Sequence, residues 1–228
     1  MGKSVLSAFL LTCVIIFGIV MTFIVSKLLS MTILKGEPSS FTLELPPYRR
    51  PQIGQVIVRS IFDRTLFVLG RAVAVAAPAG LIIWILANAT VNNITLLSHF
   101  SALLDPFAKL FGLDGVILLA FILGIPANEI VIPIIIMAYM EKGNILDIEN
   151  LSVLRQLLID NEWTWITAVS VILFSLMHWP CSTTCITIQK ETGNIKWSAV
   201  SFIVPTILGL LTCFIFSSFA RLINSLYG

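Results

Sequence analysis

Between Lys3 and Lys27 the sequence holds no aspartate, glutamate, lysine or arginine. The same is true between Arg71 and Asp105, between Glu162 and Lys190, and between Lys196 and Arg221. Each run exceeds the roughly 20 apolar residues that a helix needs to cross a bilayer core. Lipid offers the backbone no hydrogen-bond partners, so such a segment must satisfy its own amides, which a helix does. With 57% hydrophobic and 11% charged residues, and a mean hydropathy of +0.99, the composition excludes an ordinary soluble domain and a disordered chain. A fifth apolar run, Val116 to Met140, is interrupted by one carboxylate, Glu129. The expected fold class is an all-α integral membrane protein. It has about five hydrophobic segments, two of them interrupted by Pro or Gly, plus interfacial amphipathic helices.

Glu129 lies in Gly124-Ile125-Pro126-Ala127-Asn128-Glu129-Ile130-Val131-Ile132-Pro133. Each proline lacks an N–H, and the ring of Pro126 clashes with the preceding turn, so helical hydrogen bonding is expected to break beside the carboxylate. An ionised carboxylate at membrane depth is costly and faces a protein interior or an aqueous path. Its oxygens, with those of Asn128, suit coordination of a cation, relay of a proton, or simple capping of a half-helix. A second interrupted span runs from about Trp163 to Ile188, broken at Met177-His178-Trp179-Pro180-Cys181. Paired Pro-marked interruptions with polar groups are the sequence signature of a transporter's mid-membrane site. If the chain stays helical through the second break, His178, Cys181 and Cys185 fall at i, i+3 and i+7 on one face. Imidazole and thiolate form a ligand set for a borderline transition metal such as Fe2+ and do not suit Na+ or Mg2+. The alternative places His178 at a helix end, bonded to a carbonyl, with the cysteines packing as small residues.

Around these segments, the first helix is expected from about Val5 to Leu29 and the second from about Leu66 to Asn88, with Pro78 at its middle. The first run is too long for a signal peptide and shows no small-x-small cleavage site, which marks it as a retained helix. Between the two helices, Leu45-Pro46-Pro47-Tyr48-Arg49-Arg50-Pro51 forces an extended path, and an amphipathic surface helix is expected from Ile53. Lys35, Arg49, Arg50, Arg59 and Arg64 make this connection the most basic one, so loop 30–65 is expected to be cytoplasmic. The stretch from Thr90 to Asp114 reads as a linker of short polar residues with a half-buried part near Phe107 to Phe111. Leu151, Leu154, Leu157 and Leu158 predict a short amphipathic helix outside the bilayer core.

Other chemistry finds no sequence support. The net charge of +2 says little about partners, and no basic tract interleaved with aromatics points to nucleic acid. The sequence contains no phosphate-binding Gly-x-x-x-x-Gly-Lys-Ser/Thr loop, no His-Glu-x-x-His pair and no Gly-x-Ser-x-Gly elbow, so it is not expected to be an enzyme. Cys13, Cys181, Cys185 and Cys213 lie in or beside apolar segments, which does not fit a disulfide framework.

Taken in order, Leu34-Lys35-Gly36-Glu37-Pro38-Ser39-Ser40-Phe41 with Glu44-Leu45-Pro46-Pro47-Tyr48-Arg49, then Gly124 to Val131, then Pro180-Cys181-Ser182-Thr183-Thr184 with Glu191-Thr192-Gly193, resemble the C-terminal membrane region of the ferrous iron transport protein B family. The resemblance covers nearly the whole chain. It implies a multi-pass protein of a prokaryotic inner membrane that takes up Fe2+ as its transported ion, with no permanently bound cofactor. It also implies a division at residue 52: a first transmembrane helix with a Pro-rich linker over 1–52, then a gate-like domain over 53–228, broken near 124–129 and 178–181. The family's GTP-binding domain and first gate region have no counterpart in these residues. Besides the lipid bilayer, the implied partner is therefore that remaining half on a separate chain, or a second copy of this one. By carry-over Glu129 and Cys181 occupy the family's motif positions as metal ligands, with Asn128, His178 and Cys185 beside them. Similar gate domains imply nucleosides as another substrate class, and a membrane scaffold without a path is the third reading.

Overall fold

Hydroxyl side chains inside an apolar helix need an acceptor, and those of the first run find one in their own helix. Thr12, Thr22, Ser30 and Thr32 donate to the carbonyls of Ala8, Gly18, Ser26 and Leu28 at 2.7–2.9 Å. The helix, α1 (Gly2–Met31), which Thr32 directly follows, is apolar around its whole circumference, as a lipid-facing span is. The computed structural model describes residues 2–32, 54, 66–92, 94–140 and 151–227. The chain divides into two units, Met1–Phe62 and Asp63–Gly228. The expected Pro-rich linker, the surface helix from Ile53 and the basic loop lie outside the described residues, apart from Gly54.

The second unit begins with α2 (Phe67–Asn88), which runs through Pro78 without stopping. A two-residue hairpin, β1 (Thr90–Val91) with β2 (Ile94–Thr95), leads into α3 (Leu96–Ala108) and one 3-10 turn, Lys109–Phe111. Here the structure corrects the expected polar linker, which is a helix for most of its length. Thr95 caps it by accepting the Ser98 amide at 3.2 Å, and Leu97, Ser101 and Ala108 form its buried side. The chain then turns through 103° into α4 (Gly115–Leu123). Gly112, with φ of +72°, and the close approach of Gly115 to Ser101 make that corner, and Asp114 caps α4 by accepting the Ile117 amide at 2.6 Å.

The Glu129 run does not cross as one rod. It forms α4, a break, a 3-10 turn at Asn128–Ile130, and α5 (Val131–Tyr139), each helix nine residues long. The Tyr139 hydroxyl at the end of α5 donates to Asp114 at the start of α4 and accepts from Trp163 Nε1 at 2.8 Å. A straight helix would hold those ends about 37 Å apart at 1.5 Å per residue, so their contact makes this a helical hairpin. Gly124 permits the reversal, because a Cβ there would collide with the Val131 side chain. Pro126 itself supplies the turn no N–H, whereas Pro133 falls in the first turn of α5, where a missing N–H costs nothing. The hydroxyl at the base of the hairpin yields a prediction. Tyr139→Phe removes a donor to Asp114 and an acceptor for Trp163, and is expected to destabilise the chain by about 1–3 kcal/mol. Thermal unfolding of the detergent-solubilised protein would read this as a lowered midpoint.

Beyond the described residues of the hairpin, α6 (Leu151–Asp160) is the expected amphipathic helix, with Leu154, Leu157 and Leu158 half-buried. The second interrupted span follows as α7 (Trp165–Met177) and α8 (Ser182–Thr192), and the last is α9 (Ile195–Tyr227), continuous through Pro205. A capping box between Thr164 and Thr167 starts α7. The pair α7 and α8 together, α1 and α9 are long and apolar enough to cross a membrane among the described residues. Helix α9 runs antiparallel to the broken span, with Ser198 Oγ donating to Cys185 O at 3.0 Å and Cys213 Sγ to Ser170 O at 3.5 Å. Between those points Gly209 meets the Met177 carbonyl, where an added Cβ would lie 3.1 Å from the oxygen. The core gathers where these helices enclose the hairpin: Ile117, Phe121, Ile134, Ile135, Phe174 and Cys213 are all at most 1% exposed.

Candidate functional site

Proline chemistry sets the second break. Helix α7 closes with the His178 amide donating to Phe174 O at 2.7 Å. Pro180 lacks a donor and confines Trp179 to extended backbone, so the helix restarts only at Ser182 with Cys181 as its N-cap. The first amide of α8 then finds its acceptor outside its own helix. Ser182 N–H donates to the Ile125 carbonyl at 2.9 Å, and Ile125 lies at the tip of the hairpin. The two breaks, separate in sequence, thus satisfy one another's backbone.

Each predicted residue has a definite place around that bond. Glu129 occupies the 3-10 turn after the hairpin tip, is exposed, and makes no hydrogen bond or ion pair among the described residues. It therefore does not cap the half-helix. Facing lipid would cost a carboxylate several kcal/mol. Asn128, its neighbour, is half-buried, and its Oδ1 is buried without a hydrogen-bond partner among the described residues. Cys181 Sγ lies 3.1 Å from both Thr183 Oγ1 and Thr184 Oγ1, at the start of α8. Cys185, one turn on, points its thiol back to Pro180 O at 3.9 Å.

His178 does not share a face with the two cysteines. The helix that would have stacked them is interrupted, and His178 ends α7 in extended conformation with ψ of 176°. Its Nδ1 lies 2.9 Å from Ser175 O, so it does sit at a helix end against a carbonyl. Its ring packs among Phe121, Phe174 and Trp179, with centroids at 5.1, 6.0 and 6.0 Å. Among the described residues no group of three or more His, Cys, Asp or Glu side chains is arranged to hold a metal ion. The structure brings the two breaks together and leaves their candidate ligands distributed along the junction.

Sequence reasoning missed three participants: the Ile125 carbonyl, Ser182 and Trp179. Ser182 Oγ and Trp179 Nε1 are buried without partners among the described residues, as is His178 Nε2. Their adjacency to Pro180 was the available signal, since polar groups beside a helix break lose their regular partners. At the other end of the hairpin lies a cavity of about 500 Å³ lined by Asp105, Asp114, Tyr139, Asp160 and Glu162, which holds none of the predicted residues.

Comparison with known proteins gives two family matches. Residues 11–63 match the ferrous iron transport protein B C terminus, and residues 69–195, which contain both breaks, match the gate family described as nucleoside recognition. The chain is 28% identical to the Fe(2+) transporter FeoB of Staphylococcus aureus (strain MSSA476) over 217 residues, covering 91% of this chain and 31% of that protein. It is 26% identical to that of Methanocaldococcus jannaschii over 220 residues, covering 90% and 31%. It is 22% identical to that of Leptospira biflexa over 235 residues, covering 95% and 33%. The chain thus spans about a third of the length of these curated relatives. No solved structure gives a significant match.

Proposed function

Because the chain belongs to the gate family, carried here with a ferrous iron transport protein B C-terminal segment, we propose that it forms the C-terminal membrane portion of a ferrous iron transporter and contributes part of the Fe2+ path. The observation that carries this reading is the bond from the Ser182 amide to the Ile125 carbonyl, which sets the hairpin tip against the break between α7 and α8. Backbone freed from helical bonding, next to ionisable side chains, is how membrane proteins build cation sites.

Around that bond Glu129 and Cys181 are the principal ligands, and Asn128, His178 and Cys185 stand at the same junction. Thiolate and imidazole favour a borderline first-row ion, and carboxylate and amide oxygens complete a mixed set. Ligands spread along a junction suit cargo better than a resident metal, because conduction needs sites weak enough to release the ion. The same distribution fits half a path. The remainder comes from a GTP-binding and first-gate portion or from a second copy, all in a prokaryotic inner membrane with loop 30–65 cytoplasmic.

A scaffold without a path would have Glu129 hydrogen-bonded and sealed; its exposure and lack of partners favour transport. A second reading, nucleoside carriage, has one observation in its favour, the description of the family matched over residues 69–195. Anaerobic accumulation of radiolabelled Fe2+, in cells deleted for their own ferrous uptake and expressing the chain from its native gene cluster, separates the two. Accumulation above that of cells without the gene is expected. Accumulation of labelled adenosine with no gain in Fe2+ would transfer the function to nucleosides.

A further inference from the structure

The Ser175 carbonyl can only accept a hydrogen bond, so the His178 nitrogen 2.9 Å from it, Nδ1, carries the imidazole proton. Nε2 is then a bare lone pair. It is buried, and no donor among the described residues reaches it. Asn128 Oδ1 is a second buried acceptor without a donor. Leaving such an atom unmet costs about 1–3 kcal/mol. Two such acceptors, in breaks that one backbone bond ties together, call for a species that accepts electron pairs.

The two atoms come from different breaks. Asn128 stands three residues beyond Ile125 on the hairpin, and His178 ends the first half of the broken span. The Ser182–Ile125 bond at 2.9 Å ties those breaks together, and the Phe121 ring of the hairpin limb packs on the His178 imidazole at 5.1 Å. We propose that His178 Nε2 and Asn128 Oδ1 form the seat that selects the transported ion, taking a borderline first-row divalent metal and passing over Mg2+ and Ca2+.

The choice of ion follows from the donor atoms. Imidazole nitrogen binds iron, cobalt, nickel, copper and zinc readily, whereas Mg2+ and Ca2+ require oxygen ligands. A carbonyl bonded to the other ring nitrogen is the usual device that fixes the tautomer and orientation of a ligating histidine. Both ligands are neutral, so the seat does not trap a dication as a pair of carboxylates would. Trp179 Nε1 and Ser182 Oγ, also without partners, are donors suited to the water molecules that a divalent ion retains. The inference rests on the transport reading and adds the atoms that discriminate between ions.

Co2+ serves as an air-stable probe for titration of the full chain in detergent, followed by its visible absorption. The wild-type protein is expected to bind Co2+, with excess Mg2+ failing to displace it. His178→Ala and Asn128→Ala should each weaken binding by about tenfold or more, in the range that supporting and ligating residues show at metal sites. His178→Ala should also remove the nitrogen-ligand contribution from the spectrum. Cys181→Ser, measured alongside, distinguishes the two levels of the argument. If it weakens binding while both seat variants leave affinity unchanged, the seat is overturned and the transport reading stands. Absence of Co2+ binding by the wild-type chain overturns both. Displacement of Co2+ by adenosine or by Mg2+ overturns the selectivity. If His178→Ala fails to fold, Asn128→Ala at the half-buried tip gives the same decision.

Discussion

Glu129→Gln and Cys181→Ser are each expected to lower Fe2+ uptake by the assembled transporter at least about tenfold, a loss of roughly 1.4 kcal/mol in barrier terms, with protein abundance unchanged. The prediction separates function from folding because each substitution leaves the local contacts in place. The Glu129 carboxylate is exposed and makes no hydrogen bond or ion pair among the described residues, so its neutral isostere removes charge and little else. Surface changes of that kind shift stability within about 0.5 kcal/mol. Serine preserves the size of Cys181 and can bond the same two threonine hydroxyls, but an alcohol does not supply the thiolate that a borderline metal prefers. Uptake by membrane vesicles, normalised to immunoblotted protein, checks both variants. Normal uptake in both would remove these residues from the path.

Gly115→Ala is expected to have the largest structural effect, destabilising the chain by roughly 3 kcal/mol, the upper range for forced overpacking. A Cβ at this position would fall far inside van der Waals contact distance of the Ser101 carbonyl oxygen, which belongs to the backbone of a packed helix and cannot swing aside. The Gly115 amide also donates to Asp105 Oδ1 at 3.1 Å, so a shift of the corner breaks a second bond. That corner aims the hairpin, and through it the tip that meets Ser182. Gly80→Ala is the control: nothing lies within 4 Å of its Cβ position, and alanine there favours the helix by up to about 1 kcal/mol. Thermal unfolding in detergent should show a lowered midpoint for the first variant and an unchanged or raised midpoint for the second.

The positions of both breaks were legible because proline and glycine act locally. Pro126 and Pro180 remove donors wherever they stand, and the sequence alone places the interruptions at the observed residues. The fold-back was not legible, since an apolar run from Val116 to Met140 has the length of one span. What folds it back is the contact of Tyr139 with Asp114, 25 residues apart, together with a collision avoided only by Gly124. Helix α3 was hidden because Ser98, His99, Ser101 and Asp105 dilute its apolar pattern, although Thr95 with Ser98 supplied a cap signal. The expected face of His178, Cys181 and Cys185 failed for a local reason already in view, the proline between them. Pairing of the two breaks through Ser182 and Ile125 lay beyond sequence reasoning, because a backbone carbonyl leaves no mark in composition.

Accessibility of Cys181 tests the meeting of the two breaks in a metal path most directly. With Cys13, Cys185 and Cys213 replaced by alanine, the remaining thiol in membrane vesicles can be challenged with a membrane-impermeant methanethiosulfonate reagent applied from either side. The account predicts that Cys181 is modified through water, that Fe2+ held reduced slows the modification, and that Mg2+ at the same concentration does not. A thiol that is inert from both sides, or one whose modification rate ignores Fe2+, would contradict the account.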